Sequence, residues 1–346
     1  MKTWLAEFGA GLALGLRGLV AKEMRSRSRG WRPMWLLTAY LLALTAVVAG
    51  FLSLIERGAG TLHPAMGLQA FSTLAVTSVL LLAFITPALT VGAVSGERER
   101  RTLDLLLITR ASALGLVSGK LAGSLVYILF LLAAALPAFA LVYLFGGVPW
   151  LNLAMTLAVA AVTAITHAAL GLLLSTLLRR TALASVVAYL VVLLLVFGLP
   201  FVAAVSAFAR QPVVSDMAAG GPPPAYLYAS PLASVSSVLP SGQYGWGLPI
   251  VVDLGFIVTG GRYAKALQPA GTSIGQAVHI VGSNPSTGEP ITVVTWAPWV
   301  YHFAISGVVT LASLLLAALV IRPIKPWHTW RATRRPRPAA SEARTA

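Results

Sequence analysis

The densest chemistry in this 346-residue chain is the run Ser95-Gly-Glu-Arg-Glu-Arg-Arg-Thr-Leu-Asp-Leu-Leu-Leu-Ile-Thr109. Six charged side chains fall within the eight positions 97–104 of a sequence that is only 10% charged. Ionised groups this dense cannot lie in hydrocarbon, where each costs about 2.5–3.5 kcal/mol at a helix centre, and the three arginines among them, with Arg110 beyond, mark the cytoplasmic side of a membrane. Long apolar stretches flank the run on both sides. It predicts a short amphipathic helix presented to something in the cytosol.

Other candidates for chemistry are weaker. Gly115-Leu-Val-Ser-Gly119-Lys120-Leu121 looks like a phosphate loop but has three residues between the glycines where four are needed. Leu121 also stands where a Ser or Thr should ligate magnesium. The sequence therefore predicts no ATP hydrolysis by this chain. There is no HExxH, and the only aspartates are Asp104, Asp216 and Asp253, none inside an apolar run. Cysteine is absent, which excludes disulfides, thiolate catalysis and cysteine metal sites. His63, His167, His279, His302 and His328 lack metal-ligand spacing. No enzyme activity, bound cofactor or metal is expected.

His167 is the one ionisable residue deep in an apolar run, and Thr163 lies one helical turn before it on the same face. The pair reads either as polar lining of a translocation path or as a histidine hydrogen-bonded to a neighbouring helix or to the i−4 threonine. The second reading is favoured. The near absence of other charges within the runs weighs against a proton- or ion-coupled carrier. Gly119-xxx-Gly123 reads as a close-packing face.

The elements that position these residues follow from composition. Hydrophobic residues make up 58% of the chain and mean hydropathy is +0.83, against about 45–50% apolar residues in globular domains. They collect into runs of about 20 or more residues, enough to cross a core about 30 Å thick. The fold class predicted is an all-α polytopic membrane protein with six transmembrane helices, near 34–55, 68–94, 119–145, 151–177, 182–208 and 298–321. Pro137 lies within the third, Gly146-Gly-Val-Pro149 closes a tight hairpin with the fourth, and Gly198-Leu-Pro200 predicts a kink or break in the fifth.

Orientation follows from the basic residues. With both termini cytoplasmic, the internal segments 1–33, 95–120, 179–180 and 322–346 hold seven, five, two and seven Lys or Arg, whereas the external ones hold only Arg57, Arg210, Arg262 and Lys265. The positive-inside rule selects this topology. It also accounts for the net charge of +15 without nucleic-acid binding. The partner is the lipid bilayer, in a multi-pass plasma-membrane protein.

Within 1–33, Trp4, Phe8, Leu12, Leu16 and Leu19 face one way and Lys2, Glu7, Arg17 and Arg25 the other, as in an interfacial helix. Glu7 and Arg17 interrupt the apolar stretch, so no cleaved signal is expected. Residues 34–208 carry spans one to five with the charged loop at 95–118. Residues 209–297 form an extracytoplasmic loop with β-like runs at Ile250–Val258 and Thr292–Trp296. Its turn signal Ser283-Asn-Pro-Ser-Thr-Gly-Glu289 predicts a small hairpin, and 232–239 reads as a short external or re-entrant helix. Span six (298–321) precedes a basic tail, 322–346.

The stretch from Gly92 to Leu107, with Ser112 and Gly119-Lys120-Leu121, resembles the first cytoplasmic loop of ABC-2 type transporter permeases. That family carries Glu-Arg-Glu-Arg-Gly-Thr-Leu-Glu-Leu-Leu, followed by a Gly-Lys that opens the next helix. Here Arg101 stands in place of the glycine and Asp104 in place of the second acidic group. Lys22-Glu-Met-Arg25 with Arg29-Gly-Trp-Arg32 is similar to the segment before the family's first helix. Ser230-Pro-Leu-Ala233 is similar to a patch before its last span. The resemblance covers the six-span plan, with specific motifs over about a fifth of the chain.

The resemblance implies that 95–118 is a coupling loop docking on a separate ABC ATP-binding subunit, which holds the ATP and magnesium. Glu97, Arg98, Glu99, Arg100, Thr102, Leu103, Asp104, Leu106 and Leu107 would form the coupling set. Leu103, Leu106 and Leu107 would plug a groove, with Glu97, Glu99 and Arg100 pairing at its rim. The interfacial helix would be the family's elbow helix. A second copy or a homologue would complete the pathway of an exporter with a lipid-like or amphipathic substrate. Two rivals remain at this point: a membrane scaffold or assembly protein without transport, and a carrier independent of ATP.

Overall fold

Apolar runs of this length fold as helices because hydrocarbon offers no partner to backbone N–H and C=O groups, which must be satisfied within the segment. The computed structural model describes residues 31–58, 64–102, 113–209, 224–239, 276–283 and 290–321. The interfacial segment 1–30, the basic tail 322–346, the loop stretches 210–223 and 240–275, and the run 103–112 lie outside the described residues. Leu103, Asp104, Leu106 and Leu107 are among them.

The helices are α1 (Trp31–Gly58), α2 (Pro64–Thr90), α3 (Gly92–Glu99), α4 (Ala113–Leu144), α5 (Trp150–Leu177), α6 (Thr181–Leu193), α7 (Leu199–Ala209), α8 (Pro231–Val238) and α9 (Pro298–Val320). A π turn, Leu194–Gly198, joins α6 to α7, and a 3₁₀ turn, Ala225–Ala229, precedes α8. Among the described residues, six helical stretches are long and apolar enough to cross a membrane, the second running through α2 and α3 and the fifth through α6 into α7.

Three boundaries refine the sequence reading. The charged residues up to Glu99 form a short helix of their own, α3, but it follows the second span after a single turn at Val91 and continues the same helical stretch. The fourth helix starts at Ala113, so Gly119-Lys120 lies about two turns inside it and does not open it. A lone lysine looks like a boundary only while its counter-charge is unseen. Third, the kink or break expected at Gly198-Leu-Pro200 takes the form of a π turn at Leu194–Gly198, and the fifth span passes through it from α6 into α7. Leu199 N–H bonds the Leu194 carbonyl in a wide π turn, and this local rewinding accommodates Pro200, which lacks an N–H.

α2 and α5 are the inner helices. Their most apolar windows are 61% and 56% buried, against 22–28% in the other four spans. The rest present large apolar side chains outward, such as Phe201, Val308 and Leu311, as a lipid-facing surface must. Between helices in lipid the driving force is close packing, which favours small residues. α5 supplies Ala160, Ala164, Ala168 and Gly171 to its buried side.

At Gly171 a Cβ would overlap the Thr90 hydroxyl and come within 3.5 Å of the Pro87 Cα. The glycine thus lets the end of α2 lie directly on α5. The α4–α5 turn uses Gly146 and Gly147 at φ +83° and +82°, a left-handed geometry that glycine adopts at no steric cost.

The segment read as an external or re-entrant helix is α8, and it packs against α2, α5 and α9, with Leu232, Val235 and Val238 in the main core. The hairpin strands are β1 (Gln276–Ser283) and β2 (Pro290–Trp296), antiparallel from Gln276↔Trp296 to Ser283↔Pro290 with an irregularity between Ile280 and Gly282. The run 250–258 lies outside the described residues.

Gly171→Ala should destabilise the bundle by about 1–3 kcal/mol, the usual cost of overpacking. Thermal unfolding in detergent checks this, and Thr90→Ala added to Gly171→Ala should recover part of the loss by removing the hydroxyl that the new methyl meets.

Candidate functional site: a charged helix stapled to three spans

The charged segment folds as α3 because its backbone is capped at both ends. At its start, Val94 and Ser95 N–H both donate to the Ser175 hydroxyl of α5, at 3.0 and 2.9 Å. In an unbroken helix they would bond back to α2 carbonyls; here a side chain from another span takes both, so α3 rides on α5. Ser175 and Thr181 in turn donate to the Ser95 hydroxyl (3.3 and 3.0 Å), and Ser95 donates to the Val91 carbonyl at 2.9 Å. Ser95 and Ser175 are fully buried.

At its end, Arg101 N–H bonds the Arg98 carbonyl and Thr102 N–H bonds the Glu97 carbonyl, at 3.1 and 2.9 Å. These are the paired bonds of a Schellman motif, whose C′ residue adopts left-handed backbone and is usually glycine. Arg101 occupies it at φ +58°. The family pattern has glycine at this position, and the geometry supplies the reason. The Thr102 hydroxyl adds a 3.2 Å bond to the Glu97 carbonyl.

Three consecutive side chains then tie α3 to three different helices. Glu97 pairs with Lys120 of α4 at 2.7 Å, the lysine side chain being 2% exposed and the glutamate 22%. Arg98 donates to the Thr176 carbonyl at the end of α5, at 3.2 Å. Glu99 accepts from the Thr181 backbone N–H at the start of α6, at 2.7 Å. Each contact meets a group that would otherwise be costly: a buried ammonium, and the unpaired C=O and N–H groups of two helix ends.

The sequence reading placed Glu97 and Glu99 at the rim of a partner's groove. In this structure both make contacts within the chain, Glu97 partly buried and Glu99 exposed at the tip together with Arg100, Arg101 and Thr102. Beside them opens a cleft lined by Arg98, Glu99, Thr176, Leu177, Arg179 and Val320.

A second polar cluster lies where α5 meets α9. His167 Nδ1–H donates to the Thr163 carbonyl at 2.7 Å, and the Thr163 hydroxyl reaches His302 Nε2 of α9 at 3.2 Å. His302 Nδ1 lies 3.1 Å from the Tyr228 carbonyl. A carbonyl only accepts, so Nδ1 carries the proton and Nε2 accepts from Thr163. The Ser306 hydroxyl lies 3.4 Å from the same Nε2, and Tyr228 stacks on Tyr301 at 4.6 Å. Of the two alternatives within the favoured reading of His167, the bond to the i−4 threonine is the one observed, through its backbone carbonyl; Thr163, not His167, bonds the neighbouring helix.

Sequence reasoning missed Ser175, Lys120 as the partner of Glu97, and His302. Lys120 left a signal, as a lone cation in an apolar run close to the charged segment. Ser175 and His302 left none, because only the packing of spans reveals them.

Two measurements test this geometry. Arg101→Gly should raise stability by about 1 kcal/mol by relieving left-handed backbone at a non-glycine residue, and Arg101→Val should lower it. Glu97→Gln strips a buried ammonium of its carboxylate and should cost about 3–5 kcal/mol. Adding Lys120→Met should recover most of that loss, read as melting temperature and folded yield.

Comparison with protein families matches the ABC-2 family transporter protein model to residues 18–321. No curated protein matches the chain. The matched range takes in every described element, from Trp31 of α1 to Ile321 after α9. With its six membrane-spanning helices, the chain belongs to the ABC-2 family of transporters and is a multi-pass membrane transport permease.

Proposed function

We propose that this chain is the membrane-spanning subunit of an ABC exporter, driven by ATP hydrolysed in a separate subunit that docks on residues 97–107. The observation that carries the proposal is the construction of α3. Its backbone and three successive side chains are fastened to α4, α5 and α6. Arg100, Arg101 and Thr102 stand exposed at its tip, immediately before the leucines of 103–107. A segment serving only to fix topology has no need of so many fastenings; a lever does, because a loosely held helix would move without moving the spans.

On this reading the α3 end and both termini face the cytosol, in agreement with the arginine and lysine distribution. Leu103, Leu106 and Leu107 enter the partner's groove, with Arg100 and Asp104 at its rim and Thr102 closing the turn. Glu97, Arg98 and Glu99 pass the load inward. ATP and magnesium belong to the partner, and no catalytic residue is assigned to this chain. Two copies, or this chain and a homologue, would enclose a pathway for a lipid-like or amphipathic substrate, as its apolar walls suggest. Thr163 and His167 lie on the seam between α5 and α9, which must part if the substrate passes there.

Leu106→Arg should reduce co-purification of the ATP-binding subunit at least about tenfold, since an apolar anchor at the centre of an interface commonly carries 2 kcal/mol or more. Membrane insertion should be unchanged. Wild-type co-purification by Leu106→Arg together with Arg100→Glu would rule out docking through this segment.

A further inference from the structure

We propose that α5 is the rod that carries movement of α3 across the membrane to α8, with Ser175 and Asn152 as the positioning residues at its two ends. This inference rests on the coupling reading of α3.

α5 is bonded at both extremities to short helices, α3 at the end of the second span and α8. At the α3 end, Ser175 accepts the Val94 and Ser95 N–H groups, and the Thr176 carbonyl accepts Arg98. At the opposite end, Asn152 Nδ2 donates to the Val238 carbonyl, the last residue of α8, at 2.6 Å. Midway, Thr163 holds His302, which holds the Tyr228 carbonyl in the turn leading into α8. So α8 is tied to α5 directly at its end and through α9 near its start. Val235, between the two ties, is fully buried.

The other helices packed on α3 are less suited to transmit displacement over the same distance. α2 also touches α8 but carries Pro87 close to α3. α4 carries Pro137, and α6 passes into the π turn before Pro200. Proline and π turns are where helices bend. α5 runs from Trp150 to Leu177 without proline or π turn, a length of about 40 Å at 1.5 Å per residue. A push at Ser175 therefore reaches Asn152 with no bend between them.

The chain has no cysteine, so Val235→Cys gives a single thiol whose reaction with a membrane-impermeant maleimide reports uncovering of α8. The assay uses the full chain assembled with its ATP-binding partner, with and without ATP. We expect ATP to speed labelling about tenfold, a typical coupling between linked sites. Ser175→Ala and Asn152→Leu, each added separately, should abolish the acceleration in complexes that still hold the partner. Ser175→Thr, which keeps the hydroxyl, should restore it, a rescue that general loss of packing would not give. Acceleration that survives both Ser175→Ala and Asn152→Leu overturns the rod, as does hydrolysis by the wild-type complex without any change in labelling. Failure of the wild-type chain to hold an ATP-binding partner overturns the coupling reading, and the rod with it.

Discussion

Lys120 sets the arrangement of the charged end. Its ammonium lies about two turns inside an apolar helix at 2% exposure, and a buried cation persists only with a close counter-charge. Glu97 supplies it at 2.7 Å, which fixes α3 against α4. Once α3 is held there, its first N–H groups lie at Ser175, its arginine at the end of α5 and its second glutamate at the start of α6. One electrostatic requirement thus decides where a short helix sits and which spans it joins.

Much of this was legible in the sequence, for identifiable reasons. The six spans were readable because hydrophobic length is a direct consequence of bilayer thickness. The tight α4–α5 connection followed from Gly146-Gly147, and the paired strands from the turn residues at 283–289. Span limits failed wherever a long-range partner altered the local rule. Lys120 looked like a boundary because its partner Glu97 lies in another helix, whereas the interruption expected near Pro200 is present as the π turn before it. The contacts of Glu97 and Glu99 within the chain were not legible because nothing local shows that their counter-groups lie in other helices.

α5 shows how one helix meets two demands. Its buried side alternates small residues, which let α2 and α9 approach, with single polar groups placed where a neighbour has a matching atom. Gly171 admits Thr90, Thr163 meets His302, and Ser175 meets the start of α3. His167 Nε2, the Thr156 hydroxyl and the hydroxyls of Ser230, just before α8, and Ser234, within it, are also buried, with no partner among the described residues. Buried polar groups of that kind are costly to keep, and Glu97 Oε2 at the charged end is another among the described residues.

The order of Arg98 and Glu99 has a further consequence. α5 and α6 are consecutive helices, so the C-terminus of one lies beside the N-terminus of the next, with opposite ends of their macrodipoles side by side. Arg98 meets the negative end and Glu99 the positive end. A chain with these two residues exchanged would have the same composition, net charge and hydropathy, yet both side chains would face a pole of their own sign. The information is held in the direction of a two-residue dipole, a quantity that no count of charges along the sequence can register.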